Sequence, residues 1–301
     1  MEIIFLISSP PSDVYPAVRH YFFLNFLLIN NLIKMMSKVI IKNSAQIEKM
    51  RIAGKIAAEV IEMIAPYVKA GVTTQELDDI MLKFIEEDRH AISACLGYHG
   101  YPKCTCISVN EVVCHGIPGN HKLHNGDIVN IDVTVIKDGM HGDTSKMFIV
   151  GQTSPRNHQL VKVTQEALYA AIRAMGPNRN LVEAGRVIQQ IANANNFSVV
   201  RDYCGHGIGE GFHEEPQVVH YYPNPYSLIL KPGMTFTIEP MLNAGTWKVK
   251  INHKDGWTVT TADKQPSAQF EHTILITETG CEVLTLRTEE EETLGRYITC
   301  K

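Results

Sequence analysis

The sequence has no cluster of lysine and arginine, no cysteines spaced C-x-x-C, and no apolar run that approaches the roughly 20 residues of a membrane-spanning helix. It carries 28 Lys and Arg against 32 Asp and Glu, a net charge of −4, and so lacks the basic surface of nucleic-acid-binding proteins. Its seven cysteines are an odd number and indicate neither a disulfide framework nor a thiolate zinc site. We expect a globular protein of the reducing cytoplasm, with neither nucleic acid nor membrane as partner.

The first 35 residues differ in composition from the rest of the chain. Two apolar runs, residues 3–7 and 21–29, are separated by Ser, Pro and Asp, and Asn25 breaks the second. The first charge is Glu2, whereas a secretory signal places basic residues before its apolar core. We interpret residues 1–35 as an extension outside the fold, with the natural start at Met36; a targeting or membrane-association segment is the alternative.

From residue 43 onward the same order of elements is predicted twice. Asn43 is a candidate N-cap for an apolar-striped helix that we expect to end at Gly71, and Thr73 with Glu76 forms a capping box for a second helix. Three strands are then predicted at residues 105–109, 128–136 and 145–150. The second series has a helix over residues 160–175, a helix capped by Asn180 with Glu183, and strands at residues 197–200, 234–242 and 272–276.

One spacing recurs between the two series. The helix caps Thr73 and Asn180 are 107 positions apart, and so are Asp132 and Glu239, each a lone carboxylate in an apolar strand. Insertions elsewhere blur the match, so coincidence is the alternative to duplication. We predict an α+β fold in which helices cover one antiparallel sheet, with pseudo-two-fold halves at about residues 43–150 and 157–280 and the active site between them. These halves would form a single catalytic domain, residues 36–290, followed by a tail at residues 291–301.

Two aspartates mark the first half. In residues 128–136, valine and isoleucine alternate with polar residues that include Asp132, and residues 137–139 (Lys-Asp-Gly) are a hairpin signal. The returning strand should bring Asp143 within about one cross-strand step of Asp132. Facing like charges are unfavourable unless a cation separates them, but a solvated polar face explains this segment equally well.

The second half supplies two further carboxylates and an imidazole. Glu239 lies in an apolar strand that Pro240 should end, and Glu271 begins another strand. His206 lies in the glycine-rich run YCGHGIGEGFH, which no P-loop Lys-Ser/Thr follows. Four carboxylates would balance two divalent cations, which together activate water for peptide hydrolysis. The oxygen-rich set favours Mn, Fe, Co or Zn without choosing among them.

Four segments carry a resemblance to a known family: YCGHGIGEGFHEEPQVVHY (residues 203–221), CLGYHGYP (residues 95–102), NEVVCHGIP (residues 110–118) and NIDVTVIKDGMHGDTSKMF (residues 130–148). From about residue 36 to 287 the chain resembles the bacterial type I methionine aminopeptidases. The resemblance implies the duplicated "pita-bread" fold and a metalloaminopeptidase that removes the initiator methionine from nascent proteins when the second residue is small. It also implies a cytoplasmic monomer acting near the ribosome, with a dinuclear site of Asp132, Asp143, His206, Glu239 and Glu271.

The same resemblance implies roles for further residues. His115 and His213 would position the scissile peptide as hydrogen-bond donors, and Glu239 would also take and return the proton of the attacking water. Aromatic rings and sulfur atoms suit a thioether side chain. Taken singly, each of these residues is more often structural. The expected methionine pocket consists of Cys95, Tyr98, Tyr101, Cys106, Phe212 and Trp257.

Two other functions are considered. A proline-specific relative on the same fold would cleave X-Pro bonds, but such relatives usually carry an extra N-terminal domain that 35 residues cannot supply. A catalytically inactive peptide-binding module is the other alternative, although such proteins generally lose metal ligands. We therefore predict a methionyl aminopeptidase that uses two divalent metal ions.

Overall fold

The computed structural model describes residues 39–299. The predicted extension, residues 1–35, and the start at Met36 lie outside the described residues. The domain boundaries predicted from the sequence therefore stay a prediction. Within residues 39–299, no helix combines the length and the apolar composition that crossing a membrane requires.

The four α-helices and the predicted strands of the described part of the chain occur in the expected order, and the structure contains further short strands that the sequence did not predict. The α-helices of the described residues are α1 (Ser44–Ile64), α2 (Thr74–Lys83), α3 (Pro155–Arg173) and α4 (Val182–Ala194). The strands of the first half are β1 (Ile92–Ser93), β2 (Cys106–Val109), β3 (Val112–Cys114), β4 (Ile128–Lys137) and β5 (Met140–Ile149). Those after α4 are β6 (Ser198–Val199), β7 (Gly205–Gly207), β8 (Glu214–Val218), β9 (Thr235–Ile238), β10 (Met241–Asn243), β11 (Val249–Ile251), β12 (Val259–Thr261), β13 (Ser267–Gln269), β14 (Glu271–Ile276), β15 (Gly280–Val283) and β16 (Tyr297–Thr299).

Both N-terminal caps predicted for the first half are confirmed. Asn43 Oδ1 accepts from the backbone N–H of Gln46 at 3.0 Å, and Gln46 Oε1 accepts from that of Asn43 at 3.0 Å. Thr73 and Glu76 make the same reciprocal pair at the start of α2. The predicted end of α1 at Gly71 is wrong: the helix ends at Ile64 and tightens into a short 3₁₀ turn, Ala65–Tyr67.

The predicted capping box of α4 is also wrong. Asn180 Oδ1 accepts from the backbone N–H of Val182 at 3.1 Å. This donor lies two residues after Asn180, whereas a capping box uses the N–H three residues after the cap. The carboxylate of Glu183 accepts instead from Arg186, at 2.6 Å and 2.8 Å. A cationic partner three residues on competes with the backbone for this carboxylate.

Two strands differ in extent from the prediction. β5 begins at Met140, directly after the turn at Asp138 and Gly139, so it includes the polar residues before Ser145. The run predicted as one strand over residues 234–242 divides at Glu239 and Pro240 into β9 and β10. These two strands belong to different sheets, because proline cannot donate to a ladder and the chain turns out of the first sheet there.

The main sheet joins strands from both halves. Its order is β1-β4-β5-β14-β9-β7-β8, with β2 on β4 and β15 followed by β16 on β14, and its pairings are antiparallel. The halves meet where β14 pairs with β5, with Glu271 opposite Ser145. Two three-stranded sheets, β13-β10-β6 and β11-β12-β3, flank it.

The spacing of 107 recurs in the backbone hydrogen bonds. The N–H of Gly71 donates to the carbonyl of Leu123 at 2.8 Å, and the N–H of Asn178 donates to that of Leu230 at 2.9 Å. Both donors have left-handed φ, +93° and +64°. Two isolated β-bridges repeat with the same shift, Thr73 to Lys122 and Asn180 to Ile229. The duplicated α+β architecture predicted from the sequence is thus present in the structure.

The core of the first half lies between α1, α2 and the sheet. Ile61 and Ile64 of α1, Leu77 of α2 and Ile131 of β4 are fully buried in one apolar cluster. α1 approaches β5 so closely that a Cβ atom at Gly142 would overlap the helix backbone at residues 53 and 54. Glycine is required there because no side chain fits between helix and strand.

Candidate active site

Five adjacent strands each bring one of the five predicted metal ligands to the same region. In sheet order, Asp132 lies on β4, Asp143 on β5, Glu271 at the start of β14, Glu239 directly after β9, and His206 on β7. The sheet therefore assembles side chains that are up to 139 positions apart in the sequence, from Asp132 to Glu271. All five line one cavity.

The hairpin of β4 and β5 places the two aspartates as predicted. Asp138 and Gly139 have φ of +51° and +80°, as a tight two-residue hairpin turn requires, and this fixes the register. Asp143 pairs with Thr134, and Asp132 pairs with Ser145, so the carboxylates lie diagonally on one face. Thr134 Oγ1 donates to Asp143 Oδ1 at 2.8 Å.

Side-chain hydrogen bonds orient the carboxylate of Glu239. Its Oε1 accepts from Thr237 Oγ1 at 2.9 Å, and its Oε2 accepts from Gln269 Nε2 at 3.2 Å. Its backbone N–H donates to His220 Nε2 at 3.1 Å. The carboxylate is thus held by two side chains, and the backbone next to Pro240 is held by a third.

Burial raises the pKa of all four carboxyl groups, and repulsion from neighbouring carboxylates adds to the rise in three of them. Burial raises the pKa of Asp132 to about 7. Burial, reinforced by the charge of Asp132, raises the pKa of Glu239 to about 8 and that of Asp143 well above its ordinary value. Burial and Asp143 do the same for Glu271. Grouped buried carboxylates are costly without compensating positive charge, which divalent cations would supply.

His206 turns one ring nitrogen toward the carboxylates. Nε2 lies 3.6 Å from Asp143 Oδ2 and 3.6 Å from Glu239 Oε1. Nδ1 lies 3.0 Å from the carbonyl oxygen of Gly207, so we assign the proton to Nδ1 and the lone pair to Nε2. Burial lowers the pKa of His206 to about 3, which keeps the ring neutral, as a metal ligand must be.

The donor set fits divalent cations. One ligand atom each of Asp143, His206 and Glu271 lies within 4.8 Å of the others, and two of these residues are buried. The remaining carboxylates, Asp132 and Glu239, line the same cavity. Oxygen donors with one imidazole suit Mn, Fe, Co or Zn, as expected from the sequence.

Two further histidines reach the cavity. The Tyr98 hydroxyl lies 2.8 Å from Nδ1 of His213, whose ring centroid is 4.2 Å from that of His206. Burial lowers the pKa of His213 to about 4, which keeps the ring neutral, and we assign the lone pair to Nδ1, facing the Tyr98 hydroxyl, and the proton to Nε2. Burial also lowers the pKa of His115, which lies edge-on to Tyr203 and Trp257.

The cavity has a total volume of about 280 Å³, which includes the metal-binding region. Its other end is apolar. Cys95, Tyr101 and Cys106 form a buried cluster against which Phe212 and Trp257 pack. The rings of Tyr101 and Trp257 meet edge to face at 5.1 Å, and those of Tyr98 and Phe212 lie 4.9 Å apart. The structure therefore brings together all the residues that the sequence predicts for the methionine pocket.

Sequence reasoning missed other residues of this cavity. Thr134 and Gln269 line it and hold the carboxylates of Asp143 and Glu239. Thr134 lies two positions from Asp132 on β4, so the period of two along a strand could have identified it, whereas Gln269 ends β13 and does not share a strand with Glu271. The remaining missed residues carry no such signal: Cys114, Asp202, Tyr203, Cys204 and Met241.

A buried polar network lies behind the strand that carries Glu271. Arg287, 1% exposed, donates from Nη1 to Thr144 Oγ1 at 2.9 Å, and Thr144 Oγ1 donates to the backbone oxygen of Glu271 at 2.7 Å. Arg287 Nη2 also donates to Glu290 Oε1 at 2.7 Å, and Tyr169 donates to the same oxygen at 2.6 Å. The network connects the C-terminal segment to the backbone of a predicted metal ligand.

Comparison with known proteins agrees with this geometry. Residues 48–278 match the model of metallopeptidase family M24, and the chain belongs to that family. Within it, the chain belongs with the methionine aminopeptidases: it is 62% identical over 251 residues to the methionine aminopeptidase of Escherichia coli (strain K12), covering 83% of this chain and 95% of that protein. The family resemblance recognised in the sequence is confirmed.

Solved structures give the same assignment. The methionine aminopeptidase of Rickettsia prowazekii superposes with a TM-score of 0.81 at 50% identity, covering 82% of this chain and all (100%) of that one. The prolidase from Pyrococcus furiosus, at 21% identity, has a TM-score of 0.66 and covers 84% of this chain and 67% of that one. The latter match shows only a shared fold.

Proposed function

We propose that this chain removes the N-terminal methionine of nascent polypeptides when the second residue is small. Asp132, Asp143, His206, Glu239 and Glu271 would hold two divalent ions. The observation that carries the proposal is the single cavity in which these five side chains face an apolar end rich in sulfur and aromatic rings. One end suits hydrolysis and the other suits a methionine side chain.

Divalent ions held by these five residues would lower the pKa of a bound water and would stabilise the negative charge that develops on the scissile carbonyl oxygen. The ions would be Co, Mn, Fe or Zn. Glu239 has a further task, because its carboxylate can accept the proton of the attacking water and return it to the departing amine. Thr237 and Gln269 support this role, since they fix both carboxylate oxygens at 2.9 Å and 3.2 Å.

The two histidines would orient the peptide. His213 presents Nε2–H because Tyr98 occupies its other ring nitrogen at 2.8 Å. A donor held in this way can stabilise the developing oxyanion without reorganisation. His115 lines the same cavity, with its ring centroid 6.2 Å from that of Trp257, and would position the same peptide.

The apolar end would bind the methionine side chain. Cys95 and Cys106 contribute sulfur, and Tyr98, Tyr101, Phe212 and Trp257 contribute ring faces and edges. An unbranched thioether makes favourable sulfur–aromatic contacts in such a cavity. The whole cavity, with the metal-binding region included, has a volume of about 280 Å³, which favours a side chain of limited size and a small neighbour after it.

The proposed substrate indicates where in the cell the chain would act. N-termini of nascent polypeptides are available in the cytoplasm close to the ribosome, and we propose that the chain acts there as a monomer, without a nucleic acid or a membrane as partner. The net charge of −4 supports this, because it favours neither RNA nor anionic lipid.

The test is methionine release from the peptide Met-Ala-Ser by metal-free protein, with Mn, Co, Fe or Zn added back. We expect release to require metal and to vanish in Asp143→Ala. The matched control is Asp88→Ala, which removes an exposed carboxylate of the same type and should retain full release.

Two results would contradict the proposal. Faster cleavage of Ala-Pro than of Met-Ala-Ser would favour the X-Pro-cleaving activity of the prolidase-like relatives. Absence of release with every ion, together with undiminished peptide binding, would favour a binding module instead.

A further inference from the structure

A second group of metal-ligating side chains lies on the surface, in the segment His-Lys-Leu-His-Asn-Gly-Asp of residues 121–127. Ligand atoms of His121, His124 and Asp127 all lie within 4.8 Å of one another. The side chain of His124 is 74% exposed, whereas that of Asp127 is 12% exposed. Within residues 39–299, these three are not among the residues that line the catalytic cavity.

The backbone of this segment is held in place before any ligand binds. The N–H of Thr74 donates to the carbonyl of His121 at 3.0 Å, and the segment also exchanges hydrogen bonds with residues 71 and 72 through Leu123. The N–H of Asp127 donates to the carbonyl of His124 at 3.1 Å. Little backbone order therefore remains to be gained on binding, which lowers the entropic cost of forming a site.

The carboxylate of Asp127 is oriented from two sides. Asn110 Nδ2 donates to Oδ1 at 2.8 Å, and the backbone N–H of His124 donates to Oδ2 at 2.8 Å. The ring atom Nδ1 of His124 lies 3.9 Å from the same Oδ2, too far for a direct hydrogen bond. Two ligands at about 2.1 Å from one ion are separated by about 3 to 4 Å, so this spacing suits a shared cation.

We propose that His121, His124 and Asp127 bind one divalent transition-metal ion, of the Zn²⁺, Ni²⁺ or Cu²⁺ type, at a site separate from the catalytic centre. Two imidazoles and one carboxylate leave coordination positions for water. Imidazole-rich sites follow the order in which Mn²⁺ binds far more weakly than Ni²⁺, Cu²⁺ or Zn²⁺. The surface site should therefore discriminate among ions more sharply than the oxygen-rich catalytic set.

The two sites are distinct in space although the segment that carries the surface site leads directly into β4. Asp127 immediately precedes β4, and Asp132 lies five residues further along. At about 3.3 Å per residue in a strand, the two aspartates are roughly 16 Å apart. An ion at the surface site would fix the segment that leads into β4 without entering the cavity.

Calorimetric titration of the metal-free full-length chain with Ni²⁺ tests this inference. We expect the double variant His121→Ala/His124→Ala to bind one ion fewer per chain than the unaltered protein. Asp127→Asn should weaken binding at this site at least tenfold. His253→Ala, which removes an exposed histidine elsewhere, is the control and should bind as many ions as the unaltered protein.

Two further measurements separate this site from the catalytic one. Release of methionine by the Mn²⁺-loaded double variant should stay within twofold of the unaltered protein, and Asp143→Ala should keep the surface ion. Equal Ni²⁺ stoichiometry and affinity in the double variant would overturn the inference. So would an equal loss in His253→Ala, which would indicate unspecific binding to exposed histidines.

Discussion

Replacement of Arg287 by methionine should be among the most destabilising single changes away from the catalytic cavity. The guanidinium is buried and donates to Thr144 and to Glu290. Methionine has a similar length and is apolar, so it fills the volume without restoring either hydrogen bond. Glu290, 1% exposed, would then keep a buried negative charge without its cationic partner.

The expected loss follows from that uncompensated charge. Removal of one partner of a buried ion pair costs about 3–5 kcal/mol in the free energy of unfolding, because the other charge remains desolvated. The hydroxyl of Tyr169 still donates to Glu290 at 2.6 Å and should hold the loss at the lower end of that range. Arg287→Met should therefore lower the free energy of unfolding by about 3 kcal/mol.

A double-mutant cycle is the assay. The free energy of unfolding of metal-free protein is measured by urea denaturation at pH 7 for Arg287→Met, Glu290→Gln and their combination. Because each single change leaves a buried polar group unpaired, the combined loss should be smaller than the sum by about 1–3 kcal/mol. Additive losses, or a loss below about 1 kcal/mol for Arg287→Met, would refute this account of the network.

The pH dependence provides a second check. Burial alone would raise the pKa of Glu290, but His272, Arg287 and Tyr169 together lower it well below its ordinary value. A carboxylate with a lowered pKa stabilises the fold above its unfolded pKa of about 4.3 and loses that contribution as the pH falls below it. The difference in stability between the unaltered protein and Glu290→Gln should therefore be constant from pH 8 to 6 and shrink from pH 4 to 3.

Three further changes act on the site and its support. Trp257→Ala removes a ring that lies 5.1 Å from that of Tyr101. Steady-state kinetics should show a KM for Met-Ala-Ser that is raised about tenfold or more, with a smaller effect on kcat. An unchanged KM would contradict the assigned pocket. Tyr98→Phe removes the hydroxyl that orients His213 and should lower kcat about five- to tenfold at constant metal content, whereas Tyr67→Phe, at an exposed position, should not. Gly142→Ala forces α1 away from β5 and should lower the free energy of unfolding, measured by urea denaturation, by about 1–3 kcal/mol. An unchanged free energy of unfolding would show that the helix can shift freely.

Much of the local structure was predictable because its causes are local. The capping pairs Asn43 with Gln46 and Thr73 with Glu76 are short-range hydrogen bonds, and the Asp138-Gly139 turn needs only backbone conformations that these residues tolerate. The prediction failed at Asn180 and Glu183, where the same residue types occur but Arg186 binds the carboxylate. A sequence motif does not show whether a carboxylate will bind the helix backbone or a nearby arginine.

The ligand set was predictable from charge alone to a limited degree. A carboxylate such as Glu239 within an apolar strand is costly, and the sequence therefore marks it as special without naming its partner. Roles for His115, His213 and the methionine pocket came only from the family resemblance, since each residue taken singly is more often structural. The periodicity that places Thr134 on the same face of β4 as Asp132 was present in the sequence but was not used, whereas Gln269 reaches Glu239 from another sheet.

The four helices, several of the strands, the duplication and the family could be predicted from the sequence, because helix caps, hairpin turns and a spacing of 107 are local or regular features of the chain. The order of neighbouring strands, β4, β5, β14, β9 and β7, could not be predicted and is seen only in the folded chain, where it brings five side chains from both halves into one cavity. Strand order arises from long-range pairing, whose free energy depends on the burial of the whole sheet and not on any local segment. The raised pKa values of the carboxyl groups, and with them the case for metal binding, are consequences of that assembly.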